Sequence, residues 1–205
     1  MVALVEWAQR LQAVAQTGLA YGDVSEYDRE RYEEVRRVAA EMLARPGGPA
    51  AEEIEALFAG EIGHATPKVD VRGVVFRGDE ILLVHERIDG RWTLPGGWVD
   101  VREGPSESVQ REVLEESGYA TRAVKLLAVL DRDRHHAPQV WHSWKVFILC
   151  ELLHDEQAPL GSETIAARFF AGDALPDLSL ERVTPEQIRR FYEHRDHPEW
   201  PTDFD

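Results

Sequence analysis

Seven residues between positions 97 and 118 constrain this chain more than any other feature of it. Gly97 is followed after five residues by Glu103, and after seven more by Arg111-Glu112-Val113-Leu114-Glu115-Glu116-Ser117-Gly118. At ordinary usage of roughly 5–7% per residue type, seven such fixed positions coincide about once in 10⁸–10⁹ windows. A chain of 205 residues offers far fewer. The spacing predicts a helix with defined ends. Gly104 and Pro105 suit the position before a helix and its first turn, where the donor that proline lacks is not needed. Gly118 suits a left-handed C-terminal stop. Val109 and Val113, four apart, share a face that can meet a core. Glu112 and Glu116 are likewise four apart, which stacks their carboxylates on one side with Glu115 beside them.

Carboxylates this close repel each other by a few tenths of a kcal/mol per pair, on the order of 0.3. A solvated acidic face is what most glutamate-rich helices present, but it does not call for the full spacing. The cluster implies a positive partner, and hard oxygen donors of this kind suit Mg²⁺ or Mn²⁺. Arg111 is placed to pair with Glu115 one turn on, or with Glu103 if the preceding loop folds back. Leu94-Pro95-Gly96-Gly97-Trp98 puts two glycines in a turn, so the backbone can approach a ligand with no Cβ in the way.

Charge and composition exclude several classes. The formal net charge is −15, from 38 acidic residues against 23 Lys and Arg, which argues against sequence-independent binding to duplex nucleic acid. It also repels a phosphorylated substrate at long range, so local arginines and a divalent ion must supply the attraction. A single cysteine, Cys150, rules out a disulfide within the chain and a cysteine-rich zinc site. It sits in the apolar run Val146-Phe147-Ile148-Leu149-Cys150 and reads as a buried thiol. His135, His136 and His142 lack the spacing of a zinc motif. With no signal-peptide pattern and no run long enough to span a membrane, a reducing cytoplasm is expected.

Residues 3–62 read as helices. Leu4, Ala8, Leu11, Ala15 and Leu19 follow one helical register, and Tyr32, Val35, Ala39 and Met42 another. Gly22 to Ser25 separate the two, and Arg45-Pro46-Gly47-Gly48-Pro49 precedes a third helix with Ile54, Leu57 and Phe58. Residues 1–62 hold twelve acids against six arginines, unlike a DNA-binding helix set. From Lys68 the period changes. Val69–Phe76 and Ile81–His85 are strand-like and joined by Arg77-Gly78-Asp79 in a tight hairpin. Trp92–Leu94, Ala123–Asp131, Trp144–Leu153 and Thr164–Phe170 read as further strands, and Thr184-Pro185-Glu186 caps a last helix to about Glu193. The tail from His194 is expected to be extended. These features predict a small all-α extension over 1–65 and an α/β domain over 66–205, an α/β/α sandwich with a mixed sheet.

The pattern from Gly97 to Gly118 resembles the signature of the Nudix hydrolase superfamily, with Tyr119 at a position where an aliphatic is commoner. A narrower resemblance covers nearly the whole chain. Residues 7–21 and 27–32, Arg91–Trp98 and the terminal Pro201-Thr-Asp-Phe-Asp205 are similar to a bacterial Nudix subgroup of ADP-ribose or CDP-choline pyrophosphatases with a helical N-terminal extension. That resemblance implies hydrolysis of a nucleoside diphosphate linked to another group, giving a nucleoside monophosphate. It implies Mg²⁺ or Mn²⁺ held by Glu112 and Glu116, with Glu115 and the Gly97 carbonyl assisting, Arg111 orienting a glutamate, and Glu103 counted with it in the catalytic set. The general base is Glu115 or Glu163, the latter in the loop Gly161-Ser162-Glu163-Thr164. Arg87, Arg91, Arg132 and Lys145 are candidates to grip phosphates, and Trp98, with Trp92 and Trp144, to stack on a base. The extension is expected to assemble a homodimer and shape the pocket. Clean-up of oxidised nucleoside triphosphates, RNA-end processing and a non-enzymatic ligand sensor are the competing readings.

Overall fold

The computed structural model describes residues 2–21 and 23–205, the side chain of Val2 excepted. Gly22, expected to help separate the first two helices, lies outside the described residues. The chain forms two compact units.

The first unit contains α1 (Val2–Ala20), α2 (Glu26–Leu43) and α3 (Ala51–Gly60), and takes in the later segment Ala137–His142. Ser25 caps α2, its Oγ accepting the Asp28 N–H at 3.1 Å. The helices close on small residues: Ala8, Ala15, Ala39 and Ala40 have no exposed surface. A Cβ on Gly18 would fall 2.3 Å from the Tyr32 ring. Of the face expected from the periodicity, Ala8 and Ala15 are buried, Leu11 packs on this core and Leu19 is partly buried, while Leu4 is exposed and Val5 and Gln12 are buried beside them. Val140 and Trp141 complete this core, Trp141 meeting Phe58 edge-on with ring centroids 5.3 Å apart.

The second unit is built on a mixed sheet. Its strands are β1 (Lys68–Arg77), β2 (Glu80–Glu86), β3 (Trp92–Thr93), β4 (Tyr119–Asp131), β5 (Ser143–Gln157), β6 (Thr164–Ala171) and β7 (Asp203–Phe204). The order is β3-β2-β1-β5-β4-β7, with β6 antiparallel on β2 and β7 parallel to β4. The helices are α4 (Pro105–Ser117), the short α5 (Arg132–His135) and α6 (Pro185–Asp196). Side chains of β1 and β2 alternate between two cores. Val71, Val75 and Leu82 pack with Val109 and Val113 of α4, and Val74, Ile81 and Leu83 with Ile188 and Phe191 of α6. The expected α/β/α sandwich follows directly. Cys150 is buried in the α4 core, where burial pushes its thiol up to about 12.

The tail departs from the sequence expectation. It is not simply extended, because α6 continues to Asp196 and Asp203 begins a strand. Arg190 donates to both Asp203 oxygens at 2.6 and 2.8 Å, and His194 Nε2 lies 2.9 Å from Oδ2. The Arg190 hydrogen bonds hold Asp203 down to about 2, against an ordinary 3.8. Its contribution is therefore full above about pH 4 and lost as pH falls through 2. Asp203→Asn should cost about 1 kcal/mol at pH 7 after solvent screening. Thermal unfolding of both proteins should show that gap narrowing toward pH 2; a gap unchanged with pH would contradict the clip.

Candidate active site

The helix α4 takes the ends its sequence requires. Gly104 N donates to Glu107 Oε2 at 3.0 Å, Pro105 opens the first turn, and Gly118 closes the helix at φ +73°. Val109 and Val113 anchor it to β1 so closely that a Cβ on Gly73 would fall 2.3 Å from Val113 Cγ2. Glu116 and Glu112 lie along one edge of that buried face, and Glu115 lies farther round the helix toward solvent.

Arg111 satisfies both pairings open to it. Its Nε and Nη2 each donate to Glu103 at 2.9 Å, while Nη1 donates to Glu112 at 2.9 Å and Glu115 at 3.2 Å. The Glu103 hydrogen bonds, strongest among these carboxylate contacts, keep the guanidinium charged throughout the working pH range. The loop before α4 thus folds back, and one arginine ties three acids together.

The turn Leu94–Gly97 lies along β1. Gly73 N donates to Pro95 O at 2.8 Å and Val71 N to Gly97 O at 2.9 Å. Gly96 has φ +143°, and a Cβ there would sit 2.0 Å from Val71 O, so only glycine fits. Gly96 N in turn donates to Glu116 Oε2 at 2.8 Å. Glu116 is 6% exposed, and burial pushes its carboxyl up to about 8, with Arg72 and the Gly96 N–H opposing. Burial also raises Glu112.

Glu112, Glu116 and the glycine turn form a set that fits a hard divalent ion. A Cβ on Gly97 would intrude to 3.0 Å from Glu112 Oε1, so the missing side chain leaves that carboxylate face open. The Gly97 carbonyl retains a lone pair beyond its bond to Val71 N, and every donor is oxygen. Glu115 is more exposed, at 58% of its side chain, and is drawn toward Arg111. Among the described residues, no three acidic, histidine or cysteine side chains are gathered closely enough to hold a metal ion by themselves.

The remaining sequence candidates fall in different places. Glu163 is exposed in the loop before β6, and that loop is docked on the end of α4. Gly161 N donates to Glu115 O at 2.8 Å, and Thr164 Oγ1 to Glu116 O at 2.8 Å. Arg87 is exposed and holds the same loop, Nε donating to Ser162 O at 3.0 Å. Arg91 is exposed, 3.3 Å from Asp177. Trp98 is half-exposed and bridges backbone to backbone with Asp70. Arg132 and Lys145 are buried, Arg132 on Asp133 and the Glu181 carbonyl, Lys145 on Asp70. His135 and His136 engage Asp205 and the Leu180 carbonyl. Tyr119 is buried edge-on to Phe169, which explains an aromatic at that position.

Asp70, Arg72 and Glu86 belong to none of the residue sets expected from the sequence. All three are at most 7% exposed, and Arg72 and Glu86 both act on Glu116. The available signal was the charged pair in Val69-Asp70-Val71-Arg72, within an otherwise apolar strand.

Two sequence profiles match the chain, one described as a NUDIX domain over residues 66–194 and one as a UDP-X-like, N-terminal oligomerisation domain over residues 3–58. A Bacillus subtilis protein provisionally named ADP-ribose pyrophosphatase is 48% identical over 203 residues, which is 98% of this chain and 96% of that protein. The crystal structure of an ADP-ribose pyrophosphatase from Streptococcus suis is 44% identical with a TM-score of 0.63, over 68% of this chain and all of that one. The structure of a UDP-X diphosphatase is 33% identical with a TM-score of 0.64, over 99% of this chain and 98% of that one.

The raised Glu116 gives a pH signature in metal-free protein. Its folded value near 8 lies above the ordinary 4.5, so the folded state holds an extra proton between those limits. That stabilisation is full below about pH 4.5 and is lost as pH rises through 8, at up to about 1.4 kcal/mol per pH unit. With chelator present, Glu116→Gln should flatten the decline in thermal midpoint between pH 5 and 8. Parallel declines in the two proteins would show that Glu116 is not the group responsible.

Proposed function

The chain belongs to the Nudix hydrolase family and is a pyrophosphatase acting on phosphoric anhydrides, and from that premise we propose that it cleaves ADP-ribose to AMP and ribose 5-phosphate. The observation that carries the reading is Glu112 and Glu116 meeting the Gly96-Gly97 turn, with Arg111 tying Glu112 and Glu115 to Glu103. The ADP-ribose preference rests on the names of the Bacillus and Streptococcus relatives. A uridine diphosphate-linked substrate is the second reading, favoured by the likeness to a UDP-X diphosphatase along nearly the whole chain.

Glu112 and Glu116 would hold Mg²⁺ or Mn²⁺, with Glu115 and the Gly97 carbonyl available to complete the shell. When bound, the ion supplies charge neutralisation on the diphosphate oxygens and acidifies a coordinated water. The protein's own groups do the rest. Arg111 orients Glu112 and Glu115. Glu115 or Glu163 accepts the proton of the water that attacks one phosphorus, and the anhydride P–O bond breaks as the other phosphate leaves. Arg87, beside the Glu163 loop, and Arg91 offer exposed charge to the phosphates, Arg132 and Lys145 add buried positive potential, and Trp98 offers a stacking surface.

The helical unit assembles two copies in this proposal. Its profile describes an oligomerisation domain, and α1 leaves Leu4, Trp7 and Val14 exposed along its length, with Tyr21 exposed just past its end. Exposed apolar side chains in such a row fit a partner better than water. Among the described residues no helix is long and apolar enough to cross a membrane.

Chromatography of products from ADP-ribose, UDP-sugars, CDP-choline and oxidised dGTP with Mg²⁺ tests the reading. AMP from ADP-ribose, lost by about 10²–10⁴-fold in Glu116→Gln, is the expected result. A variant as fast as wild type would rule out the metal seat. Sedimentation should give a dimer that Trp7→Asp dissociates, while a wild-type monomer would remove the assembly proposal.

A further inference from the structure

Three buried charged residues lie behind the glycine turn, outside the pattern that identifies the family. Asp70, Arg72 and Lys145 are 6%, 6% and 1% exposed. Arg72 donates from Nε to Asp70 Oδ1 at 2.9 Å and from Nη2 to Oδ2 at 3.4 Å, while Lys145 Nζ donates to the same Oδ2. The third arm of the guanidinium, Nη1, reaches Leu94 O at 3.1 Å. Leu94 opens the turn whose Gly96 N–H grips Glu116.

A guanidinium is planar, and engaging two of its edges fixes its plane. With one edge on Asp70, the other is aimed at the turn. Two cations against one carboxylate leave a surplus positive charge, and Glu116 and Glu86 are the acids that feel Arg72 from the other side. An Arg72 without Asp70 has a competing partner in Glu116. Direct pairing there would draw that carboxylate away from Gly96 and from a cation. Lys145, itself buried, fixes the carboxylate that fixes the arginine.

We propose that Asp70 is a positioning residue for the hydrolysis: locked by Lys145, it holds Arg72 as the side-chain anchor of the Leu94–Gly97 turn and keeps it from pairing with Glu116. The proposal rests on the reading that Glu116 binds the divalent ion. Asp70 touches neither substrate nor reacting water, and acts only through Arg72.

The test uses the full chain with Asp70→Glu and Arg72→Lys. Asp70→Glu keeps the buried charge and lengthens the arm by one methylene; Arg72→Lys keeps the charge and loses the fork. Amide hydrogen exchange is followed at Gly96 and Gly97 in metal-free protein, and Mn²⁺ affinity is measured by electron paramagnetic resonance. The kcat and KM are read with whichever diphosphate the wild type hydrolyses. In each variant exchange at the two glycines should quicken, and Mn²⁺ affinity and kcat should each fall about 10–100-fold, with KM within about twofold. The double variant should be no worse than Arg72→Lys alone, since Asp70 acts through Arg72. Should one single variant fail to fold, the other carries the same readings. Wild-type exchange and Mn²⁺ affinity in a folded variant, or losses that multiply in the double variant, would overturn the proposal. If the wild type hydrolyses nothing in the panel while exchange and Mn²⁺ binding change as expected, the assigned activity fails and the positioning role stands.

Discussion

Burying the Glu116 carboxylate against a backbone turn costs free energy that one hydrogen bond from Gly96 offsets only in part, and much of the catalytic unit is arranged around that cost. Val109 and Val113 press α4 onto β1 at the glycine of Gly73, which brings Glu116 within reach of the turn. The turn stays close because Gly96 has no Cβ to strike Val71 O. Thr164 and Gly161 hold the far end of the same helix by its last carbonyls. A carboxylate held in this way is poised for a cation, since an ion would relieve both its burial and its repulsion by Glu86 and Glu112.

What the sequence made legible was mostly local. A helix of thirteen residues with a proline start and a glycine stop places its own glutamates, so Glu112, Glu115 and Glu116 could be assigned to one side without tertiary information. Arg111 and Glu103 lie eight residues apart, and their pairing was foreseeable because the intervening loop is short. The strands and the sandwich followed from the change of period at Lys68. Cys150 was legible as buried from its apolar surroundings.

What escaped depends on long-range packing. Asp70 and Lys145 are 75 positions apart, and nothing in either neighbourhood says that they meet. The closing strand at Asp203 exists because Arg190 and His194 reach it, while the local sequence, with prolines at 198 and 201, reads as coil. On α1 the expected face is buried at Ala8 and Ala15 and partly at Leu11 and Leu19, and only Leu4, near the helix start, falls outside it. The segment 137–142 joins the helical unit through Val140 and Trp141, although its sequence position places it between α5 and β5.

The proposed function turns on Glu112, Glu116 and the glycine turn as the seat of a divalent ion. The direct measurement is a Mn²⁺ titration by electron paramagnetic resonance of the wild type, Glu112→Gln and Glu116→Gln at pH 8.5, above the folded value of Glu116 near 8. The account predicts a specific site in the wild type whose affinity falls at least about tenfold in each variant. Equal affinity in all three proteins would contradict it, because the ion would then be held elsewhere and the arrangement around Glu116 would need another cause.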